Sequence, residues 1–475
     1  FSALPLTMTS HAEPVNALYD VALAGILTAL AWALGRRVLA FAPFEWRGRL
    51  EHGVFSLACG LAVVAYLTFV LSVAGILYPL PFLGAGMLLA VVCRGELRAI
   101  GRDVRDAAAS LCTIRAGTAE QVQFIVVMLV PIVLMAAGVA LLPPAGYDAL
   151  QYHLEVPRLF IDAHRFVPVP DISQAAMPMT VEMLYTVCLL FGSDSAPAIV
   201  HLVMAATTCL TMWTLADRFF DRRVAWLAVI AFASASEAQR WAPIANADYG
   251  PTLYELLAIA AILVWQQRRT RSWLVLAGGL AGASLGMKYT AVPIVGILAI
   301  LVATADGLAP SRVRRHVAAA VVLVAVASAV ASPWYVKNAV QYHNPVYPLL
   351  IGENVPRELA IPEAVSTTPR SVPATAAALI TAPVRLLTNG NQYAISGRSW
   401  ADYLTLPLWA YIRGDLEQPC RPALLFLALP ASILFLRGRP VMWRLAFATA
   451  LLTAIWALGI QELRYLLPVF PLYAL

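Results

Sequence analysis

Charge is scarce in this 475-residue sequence: only 13% of the residues are Asp, Glu, Lys or Arg, against about 25% in a soluble globular chain. That shortage excludes most soluble folds. Lysine is almost missing, with Lys288 and Lys337 alone among 33 basic residues. Cysteine is sparse as well. Cys59, Cys93, Cys112, Cys188, Cys209 and Cys420 form no CxxC pair, which excludes a disulfide framework and a paired-thiol zinc or redox site. They are expected to be small apolar packing residues. Residues 1–16 lack a basic stretch followed by an apolar core, so no secretory leader is expected there. A first residue other than Met and an apolar run cut at Leu475 lead one to expect a piece of a longer chain. HExxH and GxSxG are absent, and the glycine-rich GGLAGASLG at 278–286 lacks the Lys-Ser/Thr of a phosphate loop. Close helix packing through small residues explains that run better. Within the apolar runs, Asp20 and Glu255 are the main ionisable residues, and both fall near run ends. A proton- or ion-coupled pump ordinarily needs such groups near the middle of the bilayer.

What the sequence has in quantity is apolar surface: 60% hydrophobic residues and a mean hydropathy of +0.74. Apolar segments recur near 16–35, 53–77, 79–93, 121–142, 195–216, 223–236, 249–267, 273–287, 290–305, 316–334, 422–436, 441–459 and 464–475. Runs approaching 20 residues are the length that crosses a hydrocarbon core. The fold expected is an all-α polytopic membrane protein with about 13 transmembrane helices. The segment 179–192, MTVEMLYTVCLLFG, is shorter and carries Glu182, and whether it crosses decides the orientation of all that follows.

Arginine resolves this. If 179–192 is a juxtamembrane helix, one face receives 21 arginines against nine acids, for a net of +12, and the other face is left at −6, which together restore the overall +6. The positive-inside bias assigns the arginine-rich face to the cytoplasm. Treating 179–192 as a span would place RFFDRR on one side and RGELRAIGRDVR on the other, breaking the pattern. The basic excess is therefore a topology signal and not a nucleic-acid footprint. The two long loops, 143–194 and 337–421, then share the outer face, and 371–388 reads as a second outer juxtamembrane helix. Residues 1–120 read as a three-helix extension, and 121–475 as the core. The basic run Arg94–Arg115 within the extension reads as an amphipathic helix on anionic headgroups.

The candidate chemistry lies on the outer face. Asp148 stands just beyond the span ending at Leu142, with Tyr152 and His153 following. A carboxylate at a lipid–water boundary loses hydration and gains basicity, so Asp148 can serve as a general base; a loop acid or helix cap is the alternative. Asp248, in NADYGPTLYELL, opens a later span on the same face, as a helix start or as a second functional acid. Two converging acids could hold a divalent metal or share acid–base work. Lys288, Lys337 and Arg464 fall on this face too. They could bind a phosphate, or be snorkelling lysines and an internal Glu462–Arg464 pair.

Taken in order, GYDALQYHLEVPRLF, MPMTVEMLYTVCLLFG, the span ending RFFDRR, NADYGPTLYELLAIA, SWLVLAGGLAGASLGMKYTA, SPWYVKNAVQYHNPVYPLL and ELRYLLPVFPLYAL resemble the GT-C superfamily. These are polytopic glycosyltransferases that use polyprenyl-phosphate-linked sugars, and the branch resembled is that of protein O-mannosyltransferases and aminoarabinose transferases. The resemblance covers roughly residues 121–475. It implies inverting transfer from a lipid-phosphate sugar on the periplasmic face of a bacterial inner membrane. By the same resemblance, Asp148 matches the catalytic base, and Asp248 matches a later acid linked to metal or acceptor. Lys288, Lys337 and Arg464 match cations near the donor phosphate. Relatives often carry two adjacent acids in the first loop, whereas Ala149 follows Asp148 here. That departure puts a metal in question and leaves Tyr152 and His153 as helpers, His153 as a proton relay. The acceptor, whether glycan, lipid or protein, does not carry over. Two other classes fit the same features: a flippase or transporter of a lipid-linked substrate, and a catalytically silent scaffold that docks partner membrane proteins through residues 1–120.

Overall fold

The computed structural model describes residues 14–112, 119–349, 440–458 and 463–475. The expected span 422–436, the outer helix 371–388 and most of the loop 337–421 lie outside the described residues.

Among the described residues every regular element is helical. Before the first outer loop come α1 (Pro14–Leu39), α2 (Arg49–Val73), α3 (Pro79–Val92), α4 (Arg94–Cys112) and α5 (Ala119–Ala140). The loop carries a π-helical turn (Ala149–His153) and α6 (Glu155–Asp162). Next come α7 (Thr180–Leu190), α8 (Ala196–Phe219), α9 (Arg222–Ala233), α10 (Ser236–Trp241), α11 (Tyr249–Arg268), α12 (Arg271–Leu285), α13 (Val292–Ala303) and α14 (Pro310–Tyr342). The last described elements are α15 (Pro440–Leu458), a 3-10 turn (Leu463–Val469) and α16 (Phe470–Ala474).

Among the described residues five helices are long and apolar enough to cross a membrane, and six if the pair α3–α4, bent by 72°, counts as one. Other expected spans also fold as helices, several of them shorter, such as α9, α12 and α13, and the described residues do not establish a count of about 13. Water is not the surrounding solvent. Large apolar side chains stand exposed along α1, α3, α5 and α14, for example Leu88, Leu134 and Val321, as suits helices that face lipid. At the centre the opposite holds. Every residue of α11 from Tyr249 to Gln266 is buried, so this helix is surrounded on all sides by other helices.

The contacts sort the loops into two ends, as the charge partition requires. At one end Arg47 reaches Asp217, Arg268 reaches Glu45, Ser272 donates to the Pro43 carbonyl, and Arg444 donates to that of Ala305. At the other, Tyr19 donates to the Phe191 carbonyl, the Phe166 N–H to that of Ser72, and Arg464 pairs with Asp148. Segment 179–192 belongs wholly to the second end. The Thr180 N–H donates to the Gly286 carbonyl at 3.0 Å, and Phe191, just past the helix, accepts from Tyr19. Eleven residues rise only about 16 Å, roughly half of a ~30 Å hydrocarbon core. So α7 does not cross. It is also fully buried rather than laid on the lipid surface.

The N-terminal helices are built into the bundle. Glu51 of α2 pairs with Arg218 of α8 at 2.6 Å, and Tyr254 of α11 donates to the Ala58 carbonyl at 2.5 Å. Helix α4 splits its charge: Glu96, Asp103 and Asp106 turn to Arg37, Arg36 and Arg49. Arg94, Arg98, Arg102 and Arg105 are left exposed. Helices α1 and α2 cross closely at Gly35 and Gly60, where an added Cβ would overlap the Ser56 and Ala31 carbonyls. Gly60→Leu is therefore expected to force the two helices apart. Thermal unfolding of the detergent-purified protein should show a loss beyond the 1–3 kcal/mol of ordinary overpacking; an unchanged midpoint would contradict the close crossing.

Candidate functional site

Beyond α5 the chain turns at Gly146, whose φ of +103° is open to glycine but strained for other residues. Asp148 precedes the π-turn, closed by the Leu154 N–H donating to the Ala149 carbonyl at 3.0 Å. Such single-turn bulges recur at functional sites. The Asp148 carboxylate pairs with Arg464, delivered from the 3-10 turn at the far end of the chain, and both side chains are less than one-fifth exposed. The Arg464 guanidinium also lies over the Trp241 and Tyr465 rings, 5.5 and 5.1 Å from their centroids.

The second acid stands at the mouth of α11. Asp248 is buried, and Lys288 Nζ donates to its Oδ1 at 2.5 Å. Burial alone would push this carboxyl up, but Lys288 and then Arg464 outweigh it and hold it at about 2. One residue on, the Tyr249 N–H donates to His201 Nε2 at 3.1 Å. That bond leaves His201 Nδ1 to donate to the Ala242 carbonyl, 3.3 Å away.

The two pairs are joined. Lys288 lies 5.5 Å from the centroid of the Tyr465 ring on which Arg464 also rests. Tyr152 shares the neighbourhood: burial, then Asp148, pushes its hydroxyl well above the usual phenol range, with Arg464 opposing and Asp248 adding. Asp148, Asp248, Tyr152, Lys288 and Arg464 thus converge. His153 lies beside them with its ring against Tyr152, and its Nδ1 sits 2.5 Å from Glu182 Oε1 of α7, both side chains almost fully buried. His153 Nε2 and Glu182 Oε2 have no hydrogen-bond partner among the described residues. Lys337 is placed apart. Its ammonium is held by the Ala176 and Ala175 carbonyls, at 3.0 and 3.5 Å, between Phe166 and Trp334. Those contacts suit helix packing rather than phosphate capture.

Sequence reasoning did not assign Glu182, His201, Trp241 or Tyr465 to the site. Glu182 alone carried a signal, since an acid inside a short apolar helix needs a partner. Among the described residues no group of three or more His, Cys, Asp or Glu side chains could hold a metal ion. Each candidate acid already faces a cation.

Comparison with known proteins bears on the same region. The family model for dolichyl-phosphate-mannose-protein mannosyltransferase matches residues 175–336. This stretch holds Asp248 and Lys288 but neither Asp148 nor Arg464. Among solved structures, the chain is similar to ArnT from Cupriavidus metallidurans bound to undecaprenyl phosphate. The TM-score is 0.47 and the identity 17%, over 76% of this chain and 59% of that one. The chain therefore spans less than two thirds of that protein's length. No curated protein matches.

Lys288→Met should leave Asp248 buried without its cation and cost about 3–5 kcal/mol of stability, read by thermal unfolding in detergent at neutral pH. Most of the loss should return in the double variant with Asp248→Asn. Because the carboxyl is held at about 2 against an ordinary 3.8, its stabilisation is present above pH ~4 and is lost as pH falls toward 2. A single variant as stable as the wild type would remove the pair from the framework of the site.

Proposed function

We propose that this multi-pass membrane protein transfers a sugar from a polyprenyl-phosphate donor to an acceptor at the end that carries Asp148 and Asp248. The observation that carries this reading is the meeting of two acid–cation pairs on the Tyr465 ring. It gains weight from the GT-C-like motif order and from the mannosyltransferase model matched over residues 175–336. ArnT is described bound to undecaprenyl phosphate, and a ligand of that class suits this chain's cations. In this reading the active face is periplasmic and the membrane a bacterial inner membrane, since the arginine-rich end faces the cytoplasm.

The chemistry asks little of the protein beyond placement. An acceptor oxygen or nitrogen attacks the anomeric carbon as the bond from that carbon to the phosphate oxygen breaks. The electron pair leaves on the phosphate, and the acceptor's proton passes to Asp148. Attack opposite the leaving group inverts the anomeric configuration. Arg464 and Lys288 are fixed cations for the departing phosphate, and charge that is already in place lowers the barrier most effectively. Arg464 also couples two events. At rest it neutralises Asp148; when it turns to the donor phosphate, the carboxylate is released to act as base. Asp248 orients Lys288. Tyr152, whose hydroxyl is held protonated, can donate a hydrogen bond but not accept the proton. His153, tied to Glu182, holds the loop in place and could relay a proton.

A divalent ion bridging Asp148 and Asp248 does not fit the residues present. It would have to displace Arg464 and Lys288, and among the described residues no third metal-ligating group joins the two acids. No step is routed through one. The exposed apolar faces of α1 and α3, in the N-terminal region, could seat partner membrane proteins.

In vesicles supplied with a labelled polyprenyl-phosphate sugar, Asp148→Asn should slow transfer by roughly 10²–10⁴-fold while donor binding persists. Arg464→Gln should weaken donor binding as well as transfer. Full transfer by Asp148→Asn would remove Asp148 as the base. Donor translocation without bond cleavage in the wild type would instead favour a flippase.

A further inference from the structure

A second feature lies outside the acid–cation site and concerns the glycine-rich run of α12. A groove of about 820 Å³ runs between α2 and α12, and its lining includes none of Asp148, Asp248, Lys288 or Arg464. One end lies at the arginine-rich face, where Thr270, Arg271 and Ser272 stand beside Pro43 and Phe44. From there its walls are apolar apart from tyrosine hydroxyls, passing Leu67 on one side and Ala283 on the other. The rise along α12 from Arg271 to Ala283 is roughly 18 Å at 1.5 Å per residue. One leaflet of a ~30 Å hydrocarbon core is about 15 Å deep. The groove thus matches one acyl chain in one leaflet, with a polar mouth where a headgroup would lie.

Two details identify the occupant further. Gly278 and Gly282 are needed for packing, since a Cβ at either would press on the Leu323 or Ala327 carbonyl of α14. Gly279, between them, lines the groove, and a Cβ there would meet nothing within 4 Å. Its bareness leaves room for something other than α14. At the mouth, Arg268 is neutralised by Glu45 and Arg269 by Asp306, each at 2.6 Å. Arg271 is exposed and makes no ion pair among the described residues. A guanidinium fork at a lipid interface matches a phosphate in both charge and geometry.

We propose that this groove holds one anionic phospholipid from the leaflet at the arginine-rich end, its acyl chain lying along Gly279 and Ala283 and its phosphate on Arg271. The lipid fills the space between α2 and the α12–α14 pair and makes the local bilayer part of the packing.

Native mass spectrometry of the detergent-purified full chain, titrated with phosphatidylglycerol or with phosphatidylcholine of the same acyl length, tests this. The wild type should retain one phosphatidylglycerol in preference to phosphatidylcholine. Gly279→Phe should weaken retention at least tenfold, and Arg271→Gln should abolish the preference while leaving residual binding. Val133→Phe, on the exposed face of α5, should change neither. If Gly279→Phe fails to fold, Val275→Trp, at an exposed position on the same wall, serves as the blocking variant. Wild-type-like retention by the blocking variant would overturn the groove as the site. Equal retention of the two lipids by the wild type would overturn the anionic headgroup. No retained lipid at all would mean that the chain itself fills the groove, and the proposal would fall.

Discussion

A carboxylate buried at the mouth of a helix in a lipid-embedded bundle must bring its counter-charge with it. Much of the acidic end of this protein is arranged around that need. Asp248 opens α11, the helix that every neighbour surrounds, and water cannot solvate it there. Lys288, at the end of α12, supplies the charge, so the ion pair also fixes how α11 and α12 meet. The Tyr465 ring under Lys288 then sets where the last turn of the chain sits, and with it Arg464. Arg464 in turn holds Asp148. Residues from four distant segments are thus placed by one requirement, that no charge be desolvated alone.

The same requirement explains the unusual use of basic residues. At the arginine-rich end, guanidinium groups tie loop to loop: Arg47 to Asp217, Arg218 to Glu51, Arg268 to Glu45. These pairs stand at or near the membrane surface, where most are partly exposed and individually weak. Their collective effect is to gather the helix ends into one plane. At the acidic end Lys288 and Arg464 are more deeply held, each facing an acid, and Lys337 faces carbonyls.

Much of this was legible in the sequence, for physical reasons that differ from feature to feature. Apolar runs marked α1, α2, α8 and α14 because lipid tolerates little else. The charge partition kept 179–192 from crossing, and the contacts of Thr180 and Phe191 at a single end agree. Burial of α7 on all sides was not legible, since an amphipathic surface helix and a short buried helix differ only in what covers them. Asp148 and Arg464 could be named separately, but not as partners: 316 residues separate them, and no local periodicity reports on such a contact. Glu182 was visible as an acid in a short apolar helix, but its partner, His153, was not, because it lies across a loop. Lys337 could not be told from Lys288 in the sequence. Its position beyond the apolar core of α14 resembled that of Lys288, yet the carbonyls of the 173–176 turn reach it first.

The burial of α11 also bears on how the site depends on helices that do not line it. This helix carries Glu255 and Gln266 within its buried run. Its polar groups are met by its neighbours: Ser284 of α12 lies 3.3 Å from Glu255, and the Leu301 carbonyl accepts from Gln266. In the folded bundle α11 therefore depends on α12 and α13 to receive its polar groups. Mutations in α12 or α13 that never touch the acid–cation pairs can thus reach the site by loosening the helix that carries Asp248.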